Sequence, residues 1–280
     1  MIIDSHVHVG KDNFPIAPLR LGIDELIAGM DNEGIDKAII FPFPVPKFVV
    51  GNDRYWYFKE NEELLRHRKE YPDRIYIAAG ANFSDKMCIE HVNRMAMDGD
   101  ICAVKFHSRA AGYGPEEINS EHLGVISELN IPLILHVGSG YEKEFIERGK
   151  SISITGAITF AKGNPNIRKI KFPLGMLHKR LYEALDLPNV AVDTSAISWY
   201  DEDKSEILAK EHLEHLPHKA SEIIEMLLVK GYEEKVLFGS DNPYGVSYKK
   251  ELSLVMESNI KQEQLQKLLC ENALNWFSLK

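Results

Sequence analysis

Eight short apolar runs, each followed by a longer amphipathic stretch, constrain the fold of this chain more than any other feature. The runs are rich in Ile, Val and Phe and lack the alternation of a half-exposed strand, which is typical of strands buried on both faces of a parallel sheet. The predicted strands are 1–8, 37–43, 74–81, 101–107, 131–137, 167–172, 189–194 and 235–240. This order predicts a parallel sheet with helical crossovers.

Helical patterns fill the intervals between these runs. The predicted helices are 23–34, 60–71, 86–98, 120–130, 176–186, 204–230, 248–258 and 261–278. Eight strand–helix units favour a closed (β/α)8 TIM barrel, in the α/β class, over an open doubly wound sheet. The 280 residues fit one such barrel of about 250 residues with longer mouth loops. No linker or repeat divides the chain, so we expect a single domain over 1–280.

Charge and cysteine content narrow the class of partner. Acidic residues outnumber basic ones 42 to 33, for a net charge of −9, which disfavours nucleic acid and anionic membranes as partners. Three scattered cysteines give no disulfide framework or metal knuckle. The first residues lack the basic start and apolar stretch of a secretory leader, and no apolar run reaches about 18 residues. We therefore expect a cytoplasmic protein with a small-molecule substrate, and a homodimer as the default assembly.

A His-x-His pair ends the first predicted strand. His6 and His8 are two residues apart, so both side chains leave the strand on the same face. In a barrel, the carboxyl ends of the strands form the active-site mouth. Two neutral imidazoles at that position suit Zn²⁺ or a similar divalent ion.

Two more potential ligands follow later strands. His136 ends the fifth predicted strand, and Asp241 ends the eighth. A polar group at the end of an apolar strand needs a partner to offset its desolvation. A cation shared by His6, His8, His136 and Asp241 would satisfy all four. Zn²⁺ is the leading candidate, with Mn²⁺, Fe²⁺ and Co²⁺ compatible.

The chain resembles the metal-dependent hydrolases of the amidohydrolase superfamily, in particular the branch that includes amino-carboxymuconate semialdehyde decarboxylase. The segments that carry this resemblance are IIDSHVHVG (2–10), GIDKAIIFP (34–42), AVKFHS (103–108), IPLILHVG (131–138), LPNVAVDTSA (187–196), KVLFGSDNPYG (235–245) and ENALNWF (271–277). The resemblance implies a barrel with one divalent metal held by the same four residues. It also implies that Asp241 acts as general acid/base.

One position departs from the family pattern. The sixth strand of the family usually ends in a catalytic His, whereas Pro173 stands at that place here. His178 lies five residues later. A surface position on the following helix is the favoured interpretation, and a side chain that reaches back to the site is the alternative. The departure bears on the catalytic mechanism more than on metal binding, and it weakens a two-metal model.

Lys105 and His107 end the fourth predicted strand on one face. We expect Lys105 to supply a positive charge near the substrate or to form a salt bridge. The alternative, a carbamylated bridging ligand, belongs to binuclear members of the superfamily. His107 is a candidate for substrate contact or for support of a metal ligand.

The stretch 41–58 is rich in Pro and aromatic residues and follows the second strand. Phe43 and Trp56 are therefore candidates for a pocket wall or lid, with ordinary loop packing as the alternative. Ser139, between two glycines after His136, is a candidate substrate contact. His212, His215 and His218 fall in a strongly charged segment, where a solvated helix end is the favoured interpretation over a second metal site.

Three functions are compatible with these residues. Hydrolysis of a small ester, lactone or amide by a metal-activated water is the leading hypothesis. Non-oxidative decarboxylation of a small unsaturated or aromatic acid is the second. The third is a barrel that binds a metal or ligand without turnover, which Pro173 keeps open.

Overall fold

The computed structural model describes most of the chain. The described residues are 1–11, 19–43, 56–111, 113–137, 154–167, 170–173, 180–201, 217, 219–245 and 247–280, without the side chains of Trp56, Arg109 and 170–173. No helix within these ranges is long and apolar enough to cross a membrane.

Eight parallel strands form the barrel, as the apolar runs predict. They are β1 (Ile3–Lys11), β3 (Lys37–Pro42), β4 (Ile75–Gly80), β5 (Ala103–Phe106), β6 (Leu133–Leu135), β7 (Ile170–Pro173), β8 (Val190–Asp193) and β9 (Val236–Leu237). Each strand pairs in parallel with the next one around the sheet. A ninth strand, β2 (Arg20–Leu21), pairs antiparallel with the end of β1 and was not predicted.

Backbone hydrogen bonds between β1 and the chain after β9 close the ring. The amide of Ser5 donates to the carbonyl of Phe238 at 2.9 Å, and the amide of Asp241 donates to the carbonyl of His6 at 2.9 Å. Val7 and Asn242 form an isolated parallel bridge. The prediction of a closed (β/α)8 barrel is therefore confirmed.

Most of the described helices lie close to the predicted bounds. The predicted helix 204–230 is an exception, because the helix begins at Ala220, after the non-helical Pro217 and Lys219, and residues 202–216 lie outside the described residues. The described helices are α1 (Ile23–Glu33), α2 (Trp56–Glu70), α3 (Lys86–Met97), α4 (Ser108–Ala111), α5 (Ser120–Leu129), α6 (Ile154–Gly163), α7 (Leu181–Leu185), α8 (Ala220–Val229), α9 (Tyr248–Glu257), α10 (Gln262–Gln266) and α11 (Asn272–Phe277). A π-helical turn, Lys267–Glu271, joins the last two. The short helix α4 and the longer α6 were not predicted.

The barrel interior is apolar at the end where the strands begin. The inward side chains form one buried cluster: Ile3, Ile39, Ala78, Ala103, Ile134, Ala191 and Leu237. Cys270, Ala273 and Phe277, from the end of the chain, belong to the same cluster. The C-terminal helical segment therefore closes the bottom of the barrel and leaves the opposite end for the site.

Alternation along the strands places the site residues. Phe41, Lys105 and Asp193 each follow an inward apolar residue by two positions, so they form the next layer up inside the barrel. In β1, the pairing register shifts between Asp4 and Val7. This irregularity changes the parity of the strand, so that His6 and His8 point inward although Ile3 does too.

Candidate active site

His6, His8 and Asp241 form a compact group at the mouth of the barrel. One ligand atom from each lies within 4.8 Å of the others. The Nε2 atoms of His6 and His8 lie 3.4 Å and 3.3 Å from Oδ1 of Asp241. Two imidazole nitrogens and a carboxylate oxygen converging in this way are a donor set that could hold a divalent metal ion.

Asp193 orients the first of these imidazoles. Its Oδ2 atom lies 2.7 Å from Nδ1 of His6, and both residues are buried. The carboxylate holds the Nδ1 proton, so the lone pair of Nε2 is directed towards Asp241. Local sequence pattern alone does not assign Asp193 a role. The signal that the sequence offers is a carboxylate at the end of the otherwise apolar run Val190–Asp193.

The backbone around Asp241 is shaped for close approach. A Cβ on Gly239 would lie 2.9 Å from Cβ of His6 and 3.1 Å from Cγ of Asp193, so only glycine lets these groups meet. Asp241 itself has φ of 58°, a left-handed conformation that Asp tolerates better than most residues. Asp4 links β1 to the segment after β9, because its carboxylate accepts hydrogen bonds from the amide and hydroxyl of Ser240 at 3.0 Å and 2.5 Å.

Burial keeps the two imidazoles neutral. The pKa of His6 falls from 6.5 to about 4, because desolvation outweighs the opposing effect of Asp193, and the nearby Lys105 lowers it further. The pKa of His8 is also well below its ordinary value, first through burial and then through Lys105. Neutral imidazole is the form that binds metals.

Lys105 lies beside this group on a fully buried aromatic ring. Its Nζ atom is 3.5 Å from Nε2 of His6 and 4.6 Å from the ring centroid of Phe41. The same ring makes edge-to-face contacts with both imidazoles, with centroid distances of 4.7 Å to His6 and 4.5 Å to His8. A buried ammonium group is thus held next to the potential metal ligands, and its role as a charge near the substrate stays a prediction.

A small pocket opens next to Lys105. Its lining includes His8, Phe43, Tyr57, Lys105 and His107. Phe43 lies 5.3 Å from the ring of His8 and 5.4 Å from that of Tyr244, between ring centroids. The pocket therefore combines aromatic walls with one cationic group. Tyr57 and Tyr244 were not singled out from sequence, although Tyr244 lies in the segment KVLFGSDNPYG.

His136 is at the mouth but outside the compact group. Its ring stacks on His107 with a centroid distance of 3.9 Å and an interplanar angle of 15°. It lies one residue beyond β6, and its amide donates to the carbonyl of Phe106 at 3.0 Å. Its role as a fourth ligand stays a prediction.

Several predicted residues fall where the structure gives no side-chain description. Ser139, His178, His212, His215 and His218 lie outside the described residues. Trp56 begins α2 and Pro173 ends β7, but their side chains are not described either.

The sequence matches the amidohydrolase family over residues 3–279, and the chain belongs to this family. The match covers nearly the whole length, from β1 to the last helix. Comparison with curated proteins gives no match.

Solved structures share the fold over the full length of the chain at low sequence identity. The 5-carboxyvanillate decarboxylase of Novosphingobium aromaticivorans, with bound manganese and a nitrobenzoic acid ligand, has a TM-score of 0.76 and 16% identity, with 100% of this chain and 97% of that chain covered. A dihydroxybenzoic acid decarboxylase of Polaromonas, with bound manganese and 2-nitroresorcinol, gives 0.71 and 14%, covering 99% and 97%. A probable 2-pyrone-4,6-dicarboxylic acid hydrolase of Acinetobacter baumannii, with citric acid bound, gives 0.69 and 15%, covering 99% of each chain.

Proposed function

We propose that this protein is a metal-dependent, non-oxidative decarboxylase of a small aromatic acid. The observation that carries the proposal is a three-donor group whose His8 also lines a pocket with a buried lysine and aromatic walls. Decarboxylases of aromatic acids among the structural neighbours support this reading over hydrolysis, which the sequence placed first.

The donor chemistry of the site fits a divalent ion. His6, His8 and Asp241 would hold it through two neutral nitrogens and one carboxylate oxygen, with His136 a further proposed ligand. Once bound, such an ion would act as a Lewis acid towards an oxygen of the substrate. Manganese is the ion to test first, since two of the neighbours carry it, and zinc is the next.

Lys105 and the aromatic rings would bind the substrate. A buried ammonium group pairs strongly with a carboxylate or phenolate, because little water competes with it. Phe43 and Tyr57 would pack against the ring of the substrate. His107 offers an imidazole in the same pocket, and the amide of Ala110 donates to its Nδ1 at 3.4 Å. This contact favours the tautomer with the proton on Nε2, where it can be donated to the substrate.

The reaction breaks the bond between the ring carbon and the carboxyl group. The electron pair stays on the ring carbon, carbon dioxide leaves, and one proton is added to that carbon. Asp241 is the proposed carrier of this proton, because its side chain is 19% exposed whereas that of His6 is 3% exposed. It can therefore exchange protons with water between turnovers.

Product analysis tests the proposal directly. Manganese-loaded protein is incubated with hydroxybenzoic acids labelled with carbon-13 at the carboxyl group, and the labelled carbon dioxide is measured by mass spectrometry. We expect carbon dioxide and the ring product in equal amounts. A product heavier than its substrate by one water, without carbon dioxide, would contradict the proposal.

Hydrolysis is the second candidate, because one structural neighbour is a probable hydrolase of a pyrone dicarboxylic acid. The same three donors could bind water, and Asp241 could accept its proton. The labelled-substrate experiment extended to lactones separates the two candidates, since only hydrolysis opens a lactone ring and retains all of its carbon.

A further inference from the structure

We propose that Tyr57 sets the size limit of the pocket, so that it admits carboxylic acids built on a single ring and excludes those with two fused rings. The inference rests on the proposed function only for the chemical class of the ligand. It concerns a residue on the crossover helix α2, whereas the potential metal ligands lie at the ends of strands.

Tyr57 is seated directly against a strand end. Its side chain is buried, and it lines the same pocket as His8, Lys105 and His107. A Cβ placed on Gly80, the last residue of β4, would lie 3.0 Å and 3.1 Å from Cδ1 and Cε1 of the Tyr57 ring. The same Cβ would lie 2.8 Å from Cγ of Pro42. Only glycine at this position lets the ring lie so deep.

Asn61 fixes this arrangement one helical turn later. Its side-chain amide donates to the carbonyl of Gly80 at 3.0 Å, and its Oδ1 accepts from the amide of Gly80 at 2.9 Å. Asn61 is fully buried, so both hydrogen bonds are shielded from water and costly to break. Residues four apart share a helix face, so the clamp on Gly80 also holds the ring of Tyr57.

A fixed ring acts as a rigid wall. A flexible side chain could move to another rotamer and admit a larger ligand at little cost. Tyr57 cannot do so without leaving its seat against Gly80, where dense packing makes displacement unfavourable. A second fused ring on a ligand whose carboxylate lies at Lys105 needs space beyond the first ring. Among the described lining residues, Tyr57 is the one whose seat the Asn61 clamp holds in place.

Binding selectivity tests this role without requiring turnover. The probes are 2-hydroxybenzoate and 1-hydroxy-2-naphthoate, which present the same hydroxyl and carboxyl edge but differ by one ring. Their dissociation constants for the manganese-loaded protein are measured by titration calorimetry. We expect the wild-type protein to bind the single-ring acid at least about tenfold more tightly. Tyr57→Ala should remove most of that preference.

Two further variants keep the test decisive. Tyr57→Leu opens the same space and replaces Tyr57→Ala if the latter does not fold. Tyr57→Phe keeps the ring and should retain the wild-type ratio. The proposal would be overturned if Tyr57→Ala or Tyr57→Leu kept the wild-type ratio of the two dissociation constants. It would also be overturned if Tyr57→Phe lost the preference as fully as these variants do. If the wild-type protein shows the preference but releases no carbon dioxide from any acid, the proposed reaction fails while the size limit stands.

Discussion

Two adjacent layers inside the barrel are built by the same strands but are held together differently. The lower layer contains Ala103 and Ala191, and the upper layer contains Lys105 and Asp193, two residues further along the same strands. The lower layer is stabilised by apolar contact, which is non-directional and tolerates exchange. The upper layer depends on specific partners, because each buried polar group must be paired. Substitutions in the lower layer should therefore affect stability, and those in the upper layer should affect binding and chemistry.

The largest effect is expected where the lower layer is closed. Phe277 is buried in the cluster at the bottom of the barrel. The substitution Phe277→Ala should lower the free energy of unfolding by about 3–5 kcal/mol. Urea denaturation measures the change, and manganese content at low temperature should be unaltered. Met256→Ala, at a side chain that is 55% exposed, serves as the control and should cost about 0.5 kcal/mol or less. If Phe277→Ala lost manganese while its stability stayed unchanged, the proposed difference between the two layers would be contradicted.

In the upper layer, Lys105→Met should lower kcat/KM for an aromatic acid by about 100-fold. The reason is the loss of the buried ammonium group beside the potential metal ligands. Steady-state release of carbon dioxide measures the effect. The matched control is Lys37→Met, because Lys37 bonds to Tyr76 and to the carbonyl of Lys280 at the opposite end of the barrel. Equal losses in the two variants would show that the charge matters only for folding.

Asp193→Asn should weaken manganese binding by about 10- to 100-fold. The substitution keeps the shape but removes the charge that holds the Nδ1 proton of His6 at 2.7 Å. Competition with a fluorescent chelator gives the dissociation constant. Asp186→Asn removes a carboxylate that bonds to the hydroxyl of Tyr232 at an exposed position, and it should leave that constant unchanged. An unaffected constant in Asp193→Asn would argue against its role in orienting the imidazole.

Over a single pH unit, the smallest effect is the pH dependence of the stability of the metal-free protein. Burial lowers the pKa of His6 to about 4 in the folded protein. Between about pH 6.5 and pH 4, His6 is therefore protonated in the unfolded chain and neutral in the folded one. Stability should therefore fall as pH drops from about 6.5 to about 4, by about 1.4 kcal/mol per pH unit for one such group. Urea midpoints across this range test it. The variant His6→Gln should show a shallower slope, and an identical slope would contradict the assignment.

The fold and the first potential ligands could be predicted from the sequence because they depend on local patterns. Apolar runs marked the eight barrel strands, and strand alternation placed His6 beside His8. Helix α6 was missed, since its sequence, ITGAITFAKG, is rich in residues with modest helix propensity and is helical through its packing. The bonding of Asp193 to His6 joins residues 187 positions apart, a contact that no local pattern specifies. His136 lies beyond the last residue of β6, where strand alternation no longer fixes the direction of a side chain.

Anomalous X-ray scattering from crystals of the manganese-loaded protein tests the central claim most directly. The account predicts one strong peak at the barrel mouth, bonded to Nε2 of His6, Nε2 of His8 and a carboxylate oxygen of Asp241 at distances of about 2.0–2.2 Å. The same map would show whether His136 leaves its stack with His107 to join them. A peak elsewhere, or no peak at a manganese concentration that supports turnover, would contradict the account.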